Sequence, residues 1–307
     1  MSGPSFTRVT PIPPFPADTP RVRAPVRLRF EDVTQDGRLV LEALPNAIGP
    51  TVFRGILMKD PGALAVFKSG IVPVLTRFLL EGTAGPFSAE GKVEAEGTCR
   101  IARSEDGRFV LDVWADLYAP IGRTHGEAPR QGELVLAGRL AAEQVFTRPF
   151  APPGERRVTK LDFDGAPEVR HTRPPLRAPE SIAMLPAGAK PLEPSPRVDP
   201  TTMTFGLVHT DSNMHVNSLV YLRVFEEAAL RRFAELGRGA LWLGRTIDIA
   251  YRKPCFAGQA VRVVQRAFEL DGRLGVAAVL VEEKDAVSDQ ALAGARPFTF
   301  AQMLFEA

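Results

Sequence analysis

The residues best suited to chemistry lie together at His209-Thr210-Asp211-Ser212-Asn213-Met214-His215-Val216-Asn217. Asp211 could attack a carbonyl or activate a water, and base assistance of that kind contributes about 10²–10⁴ in rate. Asn213 and His215, two and four residues on, could hold the carbonyl or the water. An amphipathic pattern follows at once. Its first backbone N–H groups lack intrahelical partners and, with the helix dipole, favour negative charge. An oxyanion placed there would be stabilised, and one such donor is typically worth about 10²–10³. Asp and Asn are also good turn and cap formers, so the residue types alone leave a purely structural role open.

The element that must position this cluster is a helix. Asn217 or Ser218 can cap it, and Leu222, Phe225, Ala229, Phe233 and Leu236 recur at helical spacing. Gly237 and Gly239 are stop signals. Strands are expected over Leu243 to Tyr251, Ala260 to Leu270, 274–283 and 297–305, with Asp271-Gly272 as a tight hairpin turn. The first half reads in similar order. An apolar, helix-like run covers 62–80, divided at Pro73. Alternating strands follow around a second Asp-Gly turn, Asp106-Gly107. Between the halves, residues 149–200 hold 12 of the 28 prolines, which argues for an extended connector. The expected organisation is therefore a proline-rich arm over 1–24, a first unit over 25–148, a connector over 149–200 and a second unit over 201–307, with the candidate site in the second.

Several classes are disfavoured. A net charge of +2, from 38 basic and 36 acidic residues, demands neither nucleic acid nor an anionic membrane. No apolar run reaches the roughly 20 residues of a membrane span. Four scattered His and two Cys show no ligand spacing, so neither metal nor cofactor is expected. With only Cys99 and Cys255, the cytoplasm is the simplest compartment. Arg231, Arg232, Arg238, Arg245 and Lys253 flank the segment in sequence and could meet phosphates.

The segment resembles the active-site region of hotdog-fold thioesterases. Tyr221-Leu222-Arg223-Val224-Phe225-Glu226-Glu227-Ala228 is similar to the Tyr-Leu-x-x-Phe-Glu-Glu-Ala helix of the 4-hydroxybenzoyl-CoA thioesterase branch, with Thr210-Asp211 ahead of it. Asp211, Asn213, His215, Val216, Asn217 and Tyr221 also fit the acyl-ACP thioesterase pattern Asp-x-Asn-x-His-Val-Asn-Asn-x-x-Tyr, with Ser218 at the second Asn. Downstream, Tyr251-Arg252-Lys253-Pro254 and Gly258 resemble the family's Tyr-x-x-Pro and Gly-Asp. Gln259 replaces that acid, and Pro254 stands where acyl-ACP thioesterases have Glu.

The resemblance implies an α+β double hotdog, an antiparallel sheet wrapped around two central helices. It implies hydrolysis of acyl-CoA or acyl-ACP, with Asp211, Asn213 and His215 catalytic, Asn217, Tyr221, Arg252 and Lys253 meeting substrate, and a homodimer of double hotdogs as the assembly. The competing functions are a hotdog dehydratase or hydratase and a non-catalytic double hotdog that binds acyl chains or a carrier.

Overall fold

The computed structural model describes residues 10–125, 132–174, 176–239, 241–286 and 294–307. The first nine residues of the proline-rich arm lie outside these. Two compact units emerge. One is Ile12–Leu176, and the other joins Thr10 and Pro11 to Arg177–Ala307.

The Ile12–Leu176 unit contains β1 (Val22–Val26), α1 (Pro61–Lys68), β2 (Val72–Gly82), β3 (Val93–Ser104), β4 (Phe109–Pro120), β5 (Leu134–Thr147) and β6 (Thr172–Arg173). Its antiparallel order is β1-β3-β4-β5-β2, and β6 runs parallel to β3. The expected Asp106-Gly107 turn joins β3 to β4, with Gly107 at φ 82°.

The expected helix over 62–80 is corrected. α1 ends at Lys68, Gly70 turns the chain at φ 77°, and Val72–Gly82 is a strand paired with β5. Pro73 lacks the donor a helix interior needs, and Ile71, Val72 and Val74 are β-branched and fit a pleated surface. The buried helical piece of this unit lies earlier, as 3-10 turns over Leu41–Ala47 and a π-helical turn over Gly49–Phe53. Leu41, Ala43, Leu44, Ala47, Ile48 and Val52 are its buried face, and the 3-10 portion touches β2, β3, β4 and β5. The sheet lies tight against it. A Cβ on Gly97 of β3 would stand 2.2 Å from Thr51 Oγ1, and one on Gly138 of β5 2.5 Å from Leu44 Cδ2.

The second unit contains α2 (Pro179–Ile182), two-residue strands β7 (Lys190–Pro191), β8 (Arg197–Val198) and β9 (Met203–Thr204), then α3 (Ser218–Glu235), β10 (Leu243–Tyr251), β11 (Ala260–Leu270), β12 (Arg273–Glu282) and β13 (Thr299–Glu306). The antiparallel order is β10-β13-β12-β11, and β7, β8 and β9 pair along β11. Asp271 and Gly272, at φ 52° and 76°, form the two-residue turn between Leu270 and Arg273.

α3 packs on all four long strands. Tyr221, Leu222, Phe225, Ala228, Ala229 and Phe233 are buried, and the Phe233 ring meets Phe305 edge-on at 5.1 Å. The helix closes through Gly237 at φ 70°, with Arg238 N–H donating to Phe233 O at 2.9 Å.

β10 is buried on both faces, not on one only. On the face away from the helix-directed core, Asp248 is fully buried. Thr10 Oγ1 donates to its Oδ2 at 2.5 Å, and Arg177 Nε does so at 3.2 Å. Arg177 Nη2 also donates to Gln302 Oε1 at 2.9 Å, and Gln302 Nε2 donates to Met184 O at 2.8 Å. Residues of the proline-rich stretch thereby cover this sheet face with charge-assisted and amide bonds.

Candidate active site

Asp211 occupies a turn that leads directly into α3. Asp211 N–H donates to His215 O at 3.1 Å, and Met214 N–H donates to Asp211 O at 3.0 Å. Thr210 and Val216 face each other across its base. To close this turn Met214 adopts φ 65°, a left-handed conformation uncommon for a residue with a Cβ. Asn217 caps α3, its Oδ1 accepting from Leu219 N–H at 2.9 Å.

The Asp211 carboxylate is half-buried and held at both oxygens. Oδ1 accepts from Asn213 N–H at 2.8 Å, and Oδ2 accepts from Asn217 Nδ2 at 3.1 Å. A carboxylate offers about four lone-pair sites, so two contacts leave it able to accept a proton or another donor. Asn213 is exposed and contributes its backbone to this clamp. His215 is half-buried, with Nδ1 3.2 Å from Val216 O.

A second turn, 254–259, braces the first. Val216 N–H donates to Cys255 O at 2.8 Å, Gly258 N–H to Phe205 O at 2.7 Å, and Phe205 N–H to Gln259 O at 3.0 Å. The Gln259 side chain closes this turn locally, its Oε1 accepting from Phe256 N–H at 2.8 Å.

Tyr221 is buried behind the turns. Its hydroxyl accepts from Cys255 N–H at 2.8 Å, and burial raises its pKa. Tyr251, in edge-on contact with Tyr221, donates its hydroxyl to Ser218 O at 3.0 Å and so pins the first residue of α3. Nothing in the residue spacing had drawn attention to this Tyr251 contact.

The basic residues separate into two groups. Arg231 pairs with Asp199, Arg232 with Glu193 and Glu235, Arg238 with Glu269, and Arg245 with Glu306. Arg252 is exposed, and its guanidinium is 3.8 Å from an equally exposed Glu180, a geometry of little energetic weight. Lys253 Nζ lies 4.0 Å from the centre of the Phe298 ring. Both residues are next to the turn that Val216 meets.

Cys255 is fully buried, and burial pushes its thiol up to about 11. Reaction requires the thiolate. Iodoacetamide at about pH 8 should therefore leave Cys255 unmodified in the folded protein and label it in denaturant, as peptide mass mapping would read.

No family model matches the chain, and no curated protein matches it. Solved structures do match, over nearly the whole length. A protein described as an oleoyl thioesterase from Lactobacillus plantarum superposes with TM-score 0.58 at 14% identity, covering 95% of this chain and 96% of its own. An acyl-ACP thioesterase from Bacteroides thetaiotaomicron gives 0.54 at 13%, covering 94% and 98%. The fold is the double hotdog. A 12:0-ACP thioesterase from Umbellularia californica gives 0.53 at 14%, covering 93% and 94%. One fold carries many chemistries, and what distinguishes them is the side chains of the site.

Proposed function

We propose that this double hotdog is an acyl-thioester hydrolase acting on acyl-CoA or acyl-ACP, with Asp211 as general base or nucleophile. The observation that carries the reading is a half-buried carboxylate clamped by two donors at the N-terminus of α3, the buried helix of its unit. An anion developing beside a helix N-terminus is favoured by the helix dipole. The Asn217 side chain takes Leu219 N–H, and its carbonyl takes Val220 N–H. Ser218 N–H is then the first-turn donor best placed to meet an oxyanion.

Asn213 and His215, on the same turn, would orient the carbonyl or the attacking water. Arg252, whose exposed pairing is weak, and Lys253 would meet phosphates of CoA or of a carrier's phosphopantetheine. Tyr221 supports the site from behind through Cys255. The acyl-ACP names of two structural relatives favour carrier-bound substrates among the alternatives.

The test is a panel of acyl-CoA and acyl-ACP substrates of graded chain length, followed by thiol release. Hydrolysis should release one thiol per acid formed. Double-bond formation or hydration without thiol release would assign the site to a dehydratase or hydratase, and tight binding without turnover to a carrier or acyl-chain binder.

A further inference from the structure

We propose that Asn217 is a positioning residue that locks the Asp211 carboxylate to the end of α3 and does not itself contact substrate. This rests on the reading of Asp211 as the reactive carboxylate. The amide of Asn217 is used at both ends. Leu219 N–H can only donate, so the atom it meets at 2.9 Å must be Oδ1. The NH₂ group is thereby turned toward Asp211, where Nδ2 lies 3.1 Å from Oδ2. The backbone is engaged as well, N–H with His209 O at 2.9 Å and C=O with Val220 N–H at 3.0 Å.

The other restraint on the carboxylate, Asn213 N–H, belongs to the exposed tip of its own turn. Asn217 is therefore the link between the carboxylate and an 18-residue helix anchored in the core. Asn, Asp and Ser are comparable caps. Only Asn adds a neutral amide donor of this reach on the carboxylate side. The requirement at 217 is set by Asp211 and not by the helix alone.

The substitutions Asn217→Asp and Asn217→Ser separate the two roles. Both keep a capping oxygen, so the helix stays capped and the melting temperature should fall only by the small amount that one lost hydrogen bond costs. Asp at 217 replaces a donor with a second negative charge beside Asp211. Like charges disfavour joint ionisation, so the acid limb of the kcat/KM profile should move up by about one pH unit or more. Other titratable or charged groups on the elements packed here are His209 and His215 on the loop, Tyr221, Arg223, Glu226 and Glu227 on the first half of α3, and Tyr251, Arg252, Lys253 and Cys255 on the neighbouring strand end and turn. All are unchanged by the substitution. Ser at 217 removes the donor without adding charge. It should lower kcat by about 10-fold with KM near wild type, and move the acid limb up by less than Asn217→Asp does, because it removes a donor without adding a charge.

Carbon-13 NMR of the Asp211 carboxyl gives a readout that needs no turnover. Its titration midpoint should rise in Asn217→Asp relative to wild type. An unshifted midpoint together with an unshifted profile would overturn the proposal. If Asp211→Asn kept full activity, or if wild type hydrolysed no thioester, the reading of the site would fail, while the NMR midpoint would still decide whether Asn217 holds the carboxylate.

Discussion

Asp211→Asn should reduce thioester hydrolysis by about 10²-fold or more while the protein remains folded. The substitution preserves size but removes the charge that a base or nucleophile needs. Its structural cost follows from the clamp. Leu219 N–H fixes the orientation of Asn217, so an amide at 211 can satisfy either Asn213 N–H or Asn217 Nδ2, but not both with oxygen. One hydrogen bond is lost, worth about 0.5–1.5 kcal/mol. A small fall in melting temperature with a large fall in kcat is the expected signature. Wild-type turnover in this variant would reduce Asp211 to a turn former.

Arg177→Met should be the most destabilising of the changes considered, at about 1.5–3 kcal/mol, the scale of a lost hydrogen bond to a charged group. Asp248 has no exposed surface, and Arg177 Nε is its cationic partner at 3.2 Å. Removing the guanidinium takes a charge-assisted donor from the buried Asp248 carboxylate and a second donor from Gln302. The double variant Arg177→Met, Asp248→Leu should therefore recover much of the loss, as apolar replacements of buried ion pairs often do. Thermal unfolding of both variants is the measurement. Equal stability of Arg177→Met and wild type would show that the pair contributes nothing.

The sequence was most legible where local patterns decide structure. Asn217 as cap, the stripe Leu222, Phe225, Ala229, Phe233, and Gly237 as stop all depend on neighbours within a few residues. Ala260–Leu270 and the Asp271-Gly272 turn are equally local. The run 62–80 misled because its strand portion is mostly apolar and continuously buried only over Arg77–Leu80, so it shows no clean alternation and fits a buried helix as well. Pro73 and the β-branched residues beside it were the better guides.

The segment 41–53 was missed for the opposite reason. Pro45, Gly49 and Pro50 break the usual helical pattern, yet 3-10 and π turns accommodate them. In the candidate site, the grouping of Asp211, Asn213 and Asn217 follows from short sequence spacing. The brace from 254–259 does not, because its hydrogen bonds join segments 39 to 54 residues apart, and no periodicity records such a pairing.

The unit that bears Asp211 is not a continuous stretch of polypeptide, since Thr10 belongs with residues from 177 onward. Its hydroxyl reaches Asp248 on β10, 238 positions later. During synthesis Thr10 leaves the ribosome long before its partner exists, so this part of the unit can close only after most of the chain has been made. A fragment cut at Arg177 would keep α3 and the long strands but lack one donor to a buried carboxylate. Dissection of the protein should therefore graft Thr10 and Pro11 back onto that fragment, or supply them as a peptide in trans.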